Sequence, residues 1–368
     1  MTEQSWTIDD VEFRIATMKD IDFLTKFNVD HAFEIEERVL NYQETHKVIK
    51  EIMEYPKLGE YFVCVLKWNP ETPISCLMIS YEFNILDNRN CCWFESVYVD
   101  ADYRKKGVFK KMFNEIISLG KSRNYNKVKL YVENDNENAM ATYERMGMYM
   151  LKGYCVYEID SVFAFGNTIA DVESRVANTN KYLAMLDEVM SEKDMKDKLF
   201  KKINNKSFEW IKIGDLSKED LQKLNWVNLA SVNEVEASQR LENYQGNGGV
   251  EYIQENRHLG DLWILKDFDN NEVIASFATF MEYSDWRGGN MYWVYDWRVH
   301  ERWANDAEFK EVALNYYMRE MSSEFLMEEG NLRVVKFLLD VENRKDCVDV
   351  VKKCKLLKAH YYCYQIDI

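Results

Sequence analysis

Residues 94–116, FESVYVDADYRKKGVFKKMFNEI, pass from an apolar strand through a short polar turn into an amphipathic helix. The strand pattern ends at Val99, and apolar side chains recur at helical spacing from Val108 onward. A turn that contains Gly107 at the start of a helix directs several unpaired backbone N–H groups, and the positive end of the helix dipole, at one place. The stretch therefore predicts an anion-binding turn between a strand and a helix.

The turn is basic, whereas the chain as a whole is acidic. Lysine and arginine total 47 against 63 aspartate and glutamate residues, so the net charge is -16. The basic residues around the turn are Arg104, Lys105, Lys106, Lys110 and Lys111. This local reversal of sign favours an anion site, although an ordinary strand–helix turn with a solvated basic rim would carry the same residues.

The acidity of the chain also bears on its partners. A net charge of -16 opposes binding along a polyanion, so no nucleic-acid partner is expected. The excess of acids favours a cationic acceptor such as an amine or a basic peptide, or it serves only solubility.

A second informative block follows the strand-like run at residues 127–133. Residues 136–148 read NENAMATYERMGM, and a helix that begins near Asn138 places Ala139 and Tyr143 on one face, four residues apart. The small side chain of Ala139 allows another group to approach closely, with the phenol of Tyr143 beside it.

Together the two blocks resemble the GNAT superfamily of acetyl-CoA-dependent N-acetyltransferases. Residues 99–109 resemble the acetyl-CoA loop of that family, and residues 136–148 resemble its block of Asn, Ala, Tyr and Gly. The loop departs at Phe109, where the family usually has Gly or Ala, and the larger side chain is expected to narrow the pyrophosphate site. The resemblance covers the whole amino-terminal half in pattern and implies an α/β (α+β) fold, with a mixed, mostly antiparallel sheet flanked by helices.

By this resemblance, acetyl-CoA is the co-substrate. Backbone groups of Val97, Tyr98 and Val99 would pair with the pantetheine arm and polarise the thioester carbonyl. The residues of the pyrophosphate cradle would be Arg104, Lys105, Lys106, Gly107, Val108, Phe109 and Lys110. Asn136 would hold the strand–helix junction and the cofactor arm, and Tyr143 would place its hydroxyl near the thioester sulfur.

Two residues are predicted to carry the proton transfers. A neutral amine attacks the thioester directly when it is held within about 3.5 Å, so a base must remove its proton. Glu95 shares a strand face with Val97 by the two-residue period and interrupts an apolar run, where an unpaired acid is costly to bury. Tyr143, with a reference pKa of about 10, is a suitable donor to the departing thiolate. Alternatively, Glu95 is a strand-edge or salt-bridged acid and Tyr143 is a packed aromatic residue.

The second half of the chain repeats the order of the first. The matched blocks are residues 92–99 with 292–299, 132–134 with 341–343, and 157–160 with 364–367. Three matches in one order predict two tandem GNAT-like domains, at residues 8–160 and 207–368. Residues 161–206 include a long run of good helix formers and are predicted to be a helical linker.

The second copy lacks the groups that mark the first. At an offset of 200, Ala304 and Ala307 replace Arg104 and Gly107. At an offset of 209, Lys352 stands at the position of Tyr143. We therefore expect that the second domain has lost its cofactor site and that the chain binds one acetyl-CoA.

Other sequence features argue against a metal site, a P-loop protein and a membrane protein. Most of the eight cysteines lie in apolar strand-like runs without C-x-x-C spacing, and the five histidines are scattered, so no metal site is expected. The sequence has no P-loop pattern. It also shows no leader-like or membrane-spanning segment, so a cytoplasmic protein without a membrane partner is expected.

The predicted function is transfer of an acetyl group from acetyl-CoA to a primary amine of a small molecule or peptide, by direct attack in a ternary complex. The alternative, from a different class, is a non-catalytic pseudoenzyme or CoA-binding scaffold subunit. Retention of Arg104, Gly107 and Tyr143 favours the enzyme, since a scaffold has no physical reason to keep them.

Overall fold

The computed structural model describes residues 6–84, 89–159, 172–204, 207–224, 229–231, 249–286, 288–327, 332–340, 345–354, 356–359 and 361–368. These residues form two mixed sheets with helices on both sides, so the predicted α/β (α+β) class is confirmed. Within the described ranges, no helix is long and apolar enough to cross a bilayer.

Fifteen strands are described. In chain order they are β1 (Val11–Ile15), β2 (Glu60–Leu66), β3 (Asn69–Asn84), β4 (Arg89–Val99), β5 (Lys127–Glu133), β6 (Tyr149–Met150), β7 (Tyr154–Ile159), β8 (Phe208–Lys212), β9 (Leu229–Ser231), β10 (Gly260–Asp267), β11 (Glu272–Ser284), β12 (Gly289–His300), β13 (Leu332–Asp340), β14 (Leu356–Lys358) and β15 (Tyr361–Asp367). The first sheet has the order β1–β2–β3–β4–β5–β15–β6. The second has the order β14–β7–β13–β12–β11–β10–β8, and β9 pairs with β12.

Ten α-helices are described on the faces of these sheets. They are α1 (Ile21–Glu36), α2 (Tyr42–Glu54), α3 (Val108–Ser122), α4 (Glu137–Arg145), α5 (Val172–Val189), α6 (Glu192–Ile203), α7 (Lys218–Gln222), α8 (Gly249–Glu255), α9 (Ala307–Met327) and α10 (Lys345–Lys353).

Strand β2 shows how the first sheet is covered on both faces. After Glu60 its residues are apolar without alternation, as expected for a strand that is buried on both sides. Phe62 and Cys64 face the core beneath α3, whereas Tyr61, Val63 and Val65 face the core beneath α1 and α2. The strand therefore joins two cores, one of which contains the helix that follows the basic turn.

The two sheets exchange their closing strands. β7 pairs antiparallel with β13 of the second sheet, with Tyr157 opposite Phe337. β15, at the far end of the chain, pairs antiparallel with β5 of the first sheet, with Tyr364 opposite Leu130. The predicted boundary at residue 160 therefore does not separate the two sheets, because each sheet is completed by a strand from the other half.

The segment predicted as a linker packs into the second half. In its described part it forms α5 and α6, whose buried side chains join the core beneath α9, namely Tyr182, Leu186, Met195 and Leu199. Arg319 of α9 donates to Asp187 and to the Met190 carbonyl, both at 2.8 Å. These helices therefore belong to the packing of the second domain and are not a free spacer.

The ladders of the two sheets repeat each other at the expected offset of 200. Ile79 lies opposite Phe94 in the first sheet, and Thr279 lies opposite Val294 in the second. Each ladder shifts its register just before this pair. A bulge at the same place in both halves means that β4 and β12 bend at the same point.

The offset changes in the following strand, which corrects one predicted equivalence. Trp93 lies opposite Lys129, and Trp293 lies opposite Lys336, so the offset between β5 and β13 is 207. The offset of 209 was wrong by two residues in this strand, because it was based on a short Val-Glu-Asn match. Helix α10 begins and ends 208 residues after α4, which places Val351 at the position of Tyr143, instead of Lys352. The second half thus has a buried valine where the first has a phenol.

Candidate active site

Strands β4 and β5 diverge in the middle of the first sheet. Their parallel ladder runs from the Cys91–Lys127 pair to the Phe94–Leu130 pair. β4 continues to Val99 while it is paired only on its other side, with β3, where Val97 lies opposite Leu77. The backbone edge at residues 97–99 therefore faces an opening between two strands, which is where a ligand can add its own hydrogen bonds to a sheet.

The basic turn leads from this opening to α3. Lys105 and Gly107 have left-handed backbone conformations, with φ of 62° and 89°, and only glycine adopts such values without cost. The Lys111 N–H donates to the Gly107 carbonyl at 3.0 Å. Because helical bonding begins there, the N–H groups of Val108 and the next two residues point out of the helix start. The side chains of Lys105, Lys106 and Lys110 are exposed nearby, and the Lys106 ammonium donates to the Asp102 carbonyl at 2.8 Å.

Other side chains of the turn are committed elsewhere. Arg104 donates to the Val99 carbonyl at 2.8 Å and to both carboxylate oxygens of Glu34, at 2.5 and 2.7 Å. Its guanidinium also lies 5.3 Å from the centre of the Tyr98 ring. The side chain of Val108 is buried in the core. Arg104 thus fastens the turn to α1 and β4, and Val108 can offer a ligand only its backbone.

Helix α4 brings Asn136 and Tyr143 to the same opening. The Asn136 side chain accepts from the Ala139 N–H at 3.1 Å and so caps the helix. The Tyr143 ring packs 5.8 Å from Phe109 of α3 and 6.2 Å from Tyr364 of β15. Burial raises the pKa of Tyr143 to about 12, so its phenol is protonated at neutral pH.

A cavity of about 160 Å³ lies where β4 and β5 separate. Its lining residues from the first half are His31, Ile35, Glu36, Arg38, Phe94, Glu95, Ser96, Val97, Tyr131, Val132, Glu133, Asn136 and Tyr143. Its lining residues from the second half are Ser284, Asp285, Trp286, Met291 and Lys336. Glu95, Val97, Asn136 and Tyr143 are the sequence-predicted residues that this cavity brings together, and the exposed lysines of the turn are not among its lining.

The predicted base, Glu95, is embedded in hydrogen bonds. Its Oε1 accepts from the Ser80 hydroxyl at 2.5 Å, and its Oε2 accepts from the Tyr131 hydroxyl at 3.1 Å. Burial raises the pKa of Glu95 well above its ordinary value, and the negative charge of Glu282 adds to the rise, while the bond from Ser80 opposes it. A carboxyl with a raised pKa is better matched to proton transfer near neutral pH than an ordinary glutamate.

Sequence reasoning missed a further acid of this cavity, the buried Asp285, which follows β11. Its carboxylate accepts hydrogen bonds from Tyr61 and Ser96, and burial raises its pKa against their effect. The neighbouring Trp286 donates to the Asn28 side chain at 2.9 Å and lies edge-on to His31, 5.1 Å away. The only signal in the sequence was an acid after an apolar strand of the second copy.

The corresponding edge in the second sheet is covered by the chain itself. At the offset of 200, residues 298–300 correspond to residues 98–100, and they pair antiparallel with β9. Val299, for example, lies opposite Ala230. Ala307, at the position of Gly107, is the first residue of helix α9. The second half therefore has neither an open strand edge nor a left-handed glycine at this place.

Comparisons with known proteins identify the family of the chain. Residues 29–148 match the family model described as Acetyltransferase (GNAT) family. A possible acetyltransferase from Clostridium difficile 630 is 36% identical over 38% of this chain and 90% of its own, with a TM-score of 0.36. A comparison with curated proteins gives no match.

Two solved structures extend over both halves. The glucosamine N-acetyltransferase region of a fungal multi-domain GH3 beta-N-acetylglucosaminidase matches 97% of this chain and 38% of its own, with 12% identity and a TM-score of 0.51. A tandem GNAT protein from the clavulanic acid biosynthesis pathway matches 97% of this chain and 98% of its own, with 10% identity and a TM-score of 0.49. The family match and the 36% identity of the first half show that the chain belongs to the GNAT acetyltransferase family.

Proposed function

We propose that the chain is an N-acetyltransferase that moves an acetyl group from acetyl-CoA to a primary amine at the cavity of the first half. The observation that carries the proposal is that Glu95, Tyr143 and the open strand edge at Val97 line one cavity. Acyl transfer requires oriented proton donors, proton acceptors and backbone N–H groups around one reacting centre, and these residues supply all three kinds of group.

The residues present fit acetyl-CoA. The N–H groups at the start of α3, with the lysines of the turn, suit a pyrophosphate. The open edge of β4 at residues 97–99 suits the amides of the pantetheine arm, and it leads from the turn to the cavity. When bound, acetyl-CoA supplies an activated thioester as the acetyl donor.

Two proton transfers are assigned to side chains of the cavity. For the amine C–N bond to form while the thioester C–S bond breaks, one proton must leave the amine nitrogen and one must reach the sulfur. Glu95 takes the first proton on its carboxylate. Tyr143 gives the second from its hydroxyl, and the products are the acetylated amine and the free thiol. No covalent bond to the enzyme forms.

The lining of the cavity supports a cationic acceptor. Its carboxyl groups belong to Glu36, Glu95, Glu133 and Asp285, against the two basic side chains of Arg38 and Lys336. Carboxyl oxygens accept hydrogen bonds from an ammonium group, and those that are ionised also attract its charge, so their excess favours a cation near the base. Apolar side chains of the same lining, including Trp286, suit the carbon skeleton of a small amine.

A screen for acetyl transfer tests the proposal. The purified chain is incubated with acetyl-CoA and with polyamines, aminoglycosides, amino acids or peptides, while thiol release and product mass are followed. We expect one class of amine to gain an acetyl group, with loss of turnover in Glu95→Gln. Binding of CoA without transfer to any amine would instead support the scaffold alternative.

A further inference from the structure

Glu282 of β11 is the counterpart of Glu82 in β3, yet the two residues have different neighbours. Each accepts the indole N–H of the equivalent tryptophan, Trp93 for Glu82 at 2.7 Å and Trp293 for Glu282 at 2.6 Å. Both glutamates are 1% exposed. Glu82 forms a salt bridge with Lys129 at 2.7 Å. Glu282 instead accepts from the hydroxyl of a residue of the first half.

That residue is Tyr131 of β5, which stands between two carboxyl groups. Its hydroxyl oxygen lies 3.1 Å from Oε2 of Glu95 and 3.0 Å from Oε1 of Glu282. A phenol has one proton and can donate to only one of them at a time. Two ionised carboxylates that accept from the same hydroxyl repel each other, and this repulsion favours one additional proton held between them. The negative charge of Glu282 contributes to the raised pKa of Glu95.

We propose that Glu282, delivered by the second half, is a positioning residue for the first half's transfer site, and that it shares a proton with Glu95 across the hydroxyl of Tyr131. The proposal rests on the proposed function, because Glu95 acts there as the base. The charge of Glu282 makes Glu95 hold a proton more tightly, so Glu95 accepts the proton of the amine at a higher pH than an isolated glutamate would. The degenerate half thus contributes to catalysis without binding a cofactor.

Several other titratable groups line the cavity beside Glu95. They are His31 on α1, Glu36 and Arg38 at its end, Glu133 on β5, Tyr143 on α4, Asp285 after β11 and Lys336 on β13. Lys336 lies 4.7 Å from the centre of the Tyr131 ring and 4.9 Å from that of Trp293. The positive charge of Lys336 opposes the effect of Glu282 on Glu95. The negative charge of Asp285 acts in the same direction as that of Glu282. The variants below leave all of these groups in place.

Three substitutions separate proton sharing from packing. Glu282→Gln keeps the shape and an acceptor for Trp293 but removes the charge, so the acid limb of the kcat/KM profile should move to lower pH by about one unit or more. Tyr131→Phe removes the shared donor, so the limb should move to higher pH. Glu82→Gln is the matched control, since it makes the same change at the equivalent position and should leave the limb unchanged. Overall destabilisation would not move the limb in opposite directions.

An infrared titration of the free protein measures the protonation of Glu95 and Glu282 without turnover. The band of a protonated carboxylic acid, assigned to the pair by its loss or shift in Glu95→Gln, should persist to a higher pH in the wild type and Glu82→Gln than in Glu282→Gln. The inference is overturned if Glu282→Gln and Glu82→Gln titrate alike, whether or not Glu282→Gln is fully stable. If the wild type acetylates no amine, the proposed function fails, and the infrared result still decides whether the proton is shared.

Discussion

The rings of Trp93 and Trp293 stack at the junction of the two halves, with centroids 5.5 Å apart and planes inclined by 21°. Since these residues are equivalent in the two copies, the halves meet about an approximate twofold relation. Val156 of β7 and Cys363 of β15, from the exchanged strands, belong to the same buried cluster. The cavity of the first half lies beside this junction, which explains how residues of the second half reach it.

Tyr143→Phe tests the assigned acid. We expect kcat to fall about 10- to 1,000-fold with little change in the affinity for acetyl-CoA, because the hydroxyl matters mainly once charge grows on sulfur. Tyr364→Phe is the control, since this neighbouring phenol donates to Glu144 at 3.3 Å and has no assigned role in transfer. Equal rates in the two variants would assign Tyr143 to packing.

The raised pKa of Glu95 predicts a cost in stability. Between about pH 4.3, the ordinary value for glutamate, and its raised pKa in the folded chain, the native state holds a proton that the unfolded state has released. The free energy of unfolding therefore falls as pH rises through this window, by about 1.4 kcal/mol per pH unit for one such group. Glu95→Gln should remove this slope and be more stable than the wild type near neutral pH.

Urea unfolding at a series of pH values measures this slope. Glu82→Gln serves as a contrast, because it leaves the buried ammonium of Lys129 without its partner and should lower stability. Parallel curves for the wild type and Glu95→Gln would contradict the burial argument.

The exchanged strand β15 should be essential to the first half. The Tyr364 side chain is 1% exposed and lies in the core beneath α3, so Tyr364→Ala should lower the free energy of unfolding by about 3–5 kcal/mol. The control Phe268→Ala removes a ring that is 44% exposed and should cost far less. Thermal unfolding would count against the strand exchange if the two variants were equally stable.

Much of the fold of the first half could be predicted from sequence patterns. The strand, turn and helix of residues 94–116 and the helix with Tyr143 are local features, set by hydrophobic period and by glycine, and they lie where the pattern predicted. The exchange of β7 and β15 has no local signal. Residues 157–160 and 364–367 match in pattern, so either strand fits either sheet.

The contribution of the second half to the cavity had no local signal either. Glu282 and Asp285 reach Glu95 only through packing between residues almost 200 positions apart. The predicted offset of β13 was also wrong, because it followed a Val-Glu-Asn match. The ladder in which Lys336 lies opposite Trp293 is visible only in the fold.

Calorimetric titration with acetyl-CoA tests most directly whether one cofactor site exists, at the turn of the first half. We predict one acetyl-CoA per chain, since β9 covers the equivalent edge of the second sheet. Gly107→Asp should bind about 10- to 100-fold more weakly than Gly107→Asn, because both side chains have the same size and tolerate a left-handed backbone, but only aspartate repels a pyrophosphate. A stoichiometry of two, or equal affinities in these two folded variants, would contradict the account.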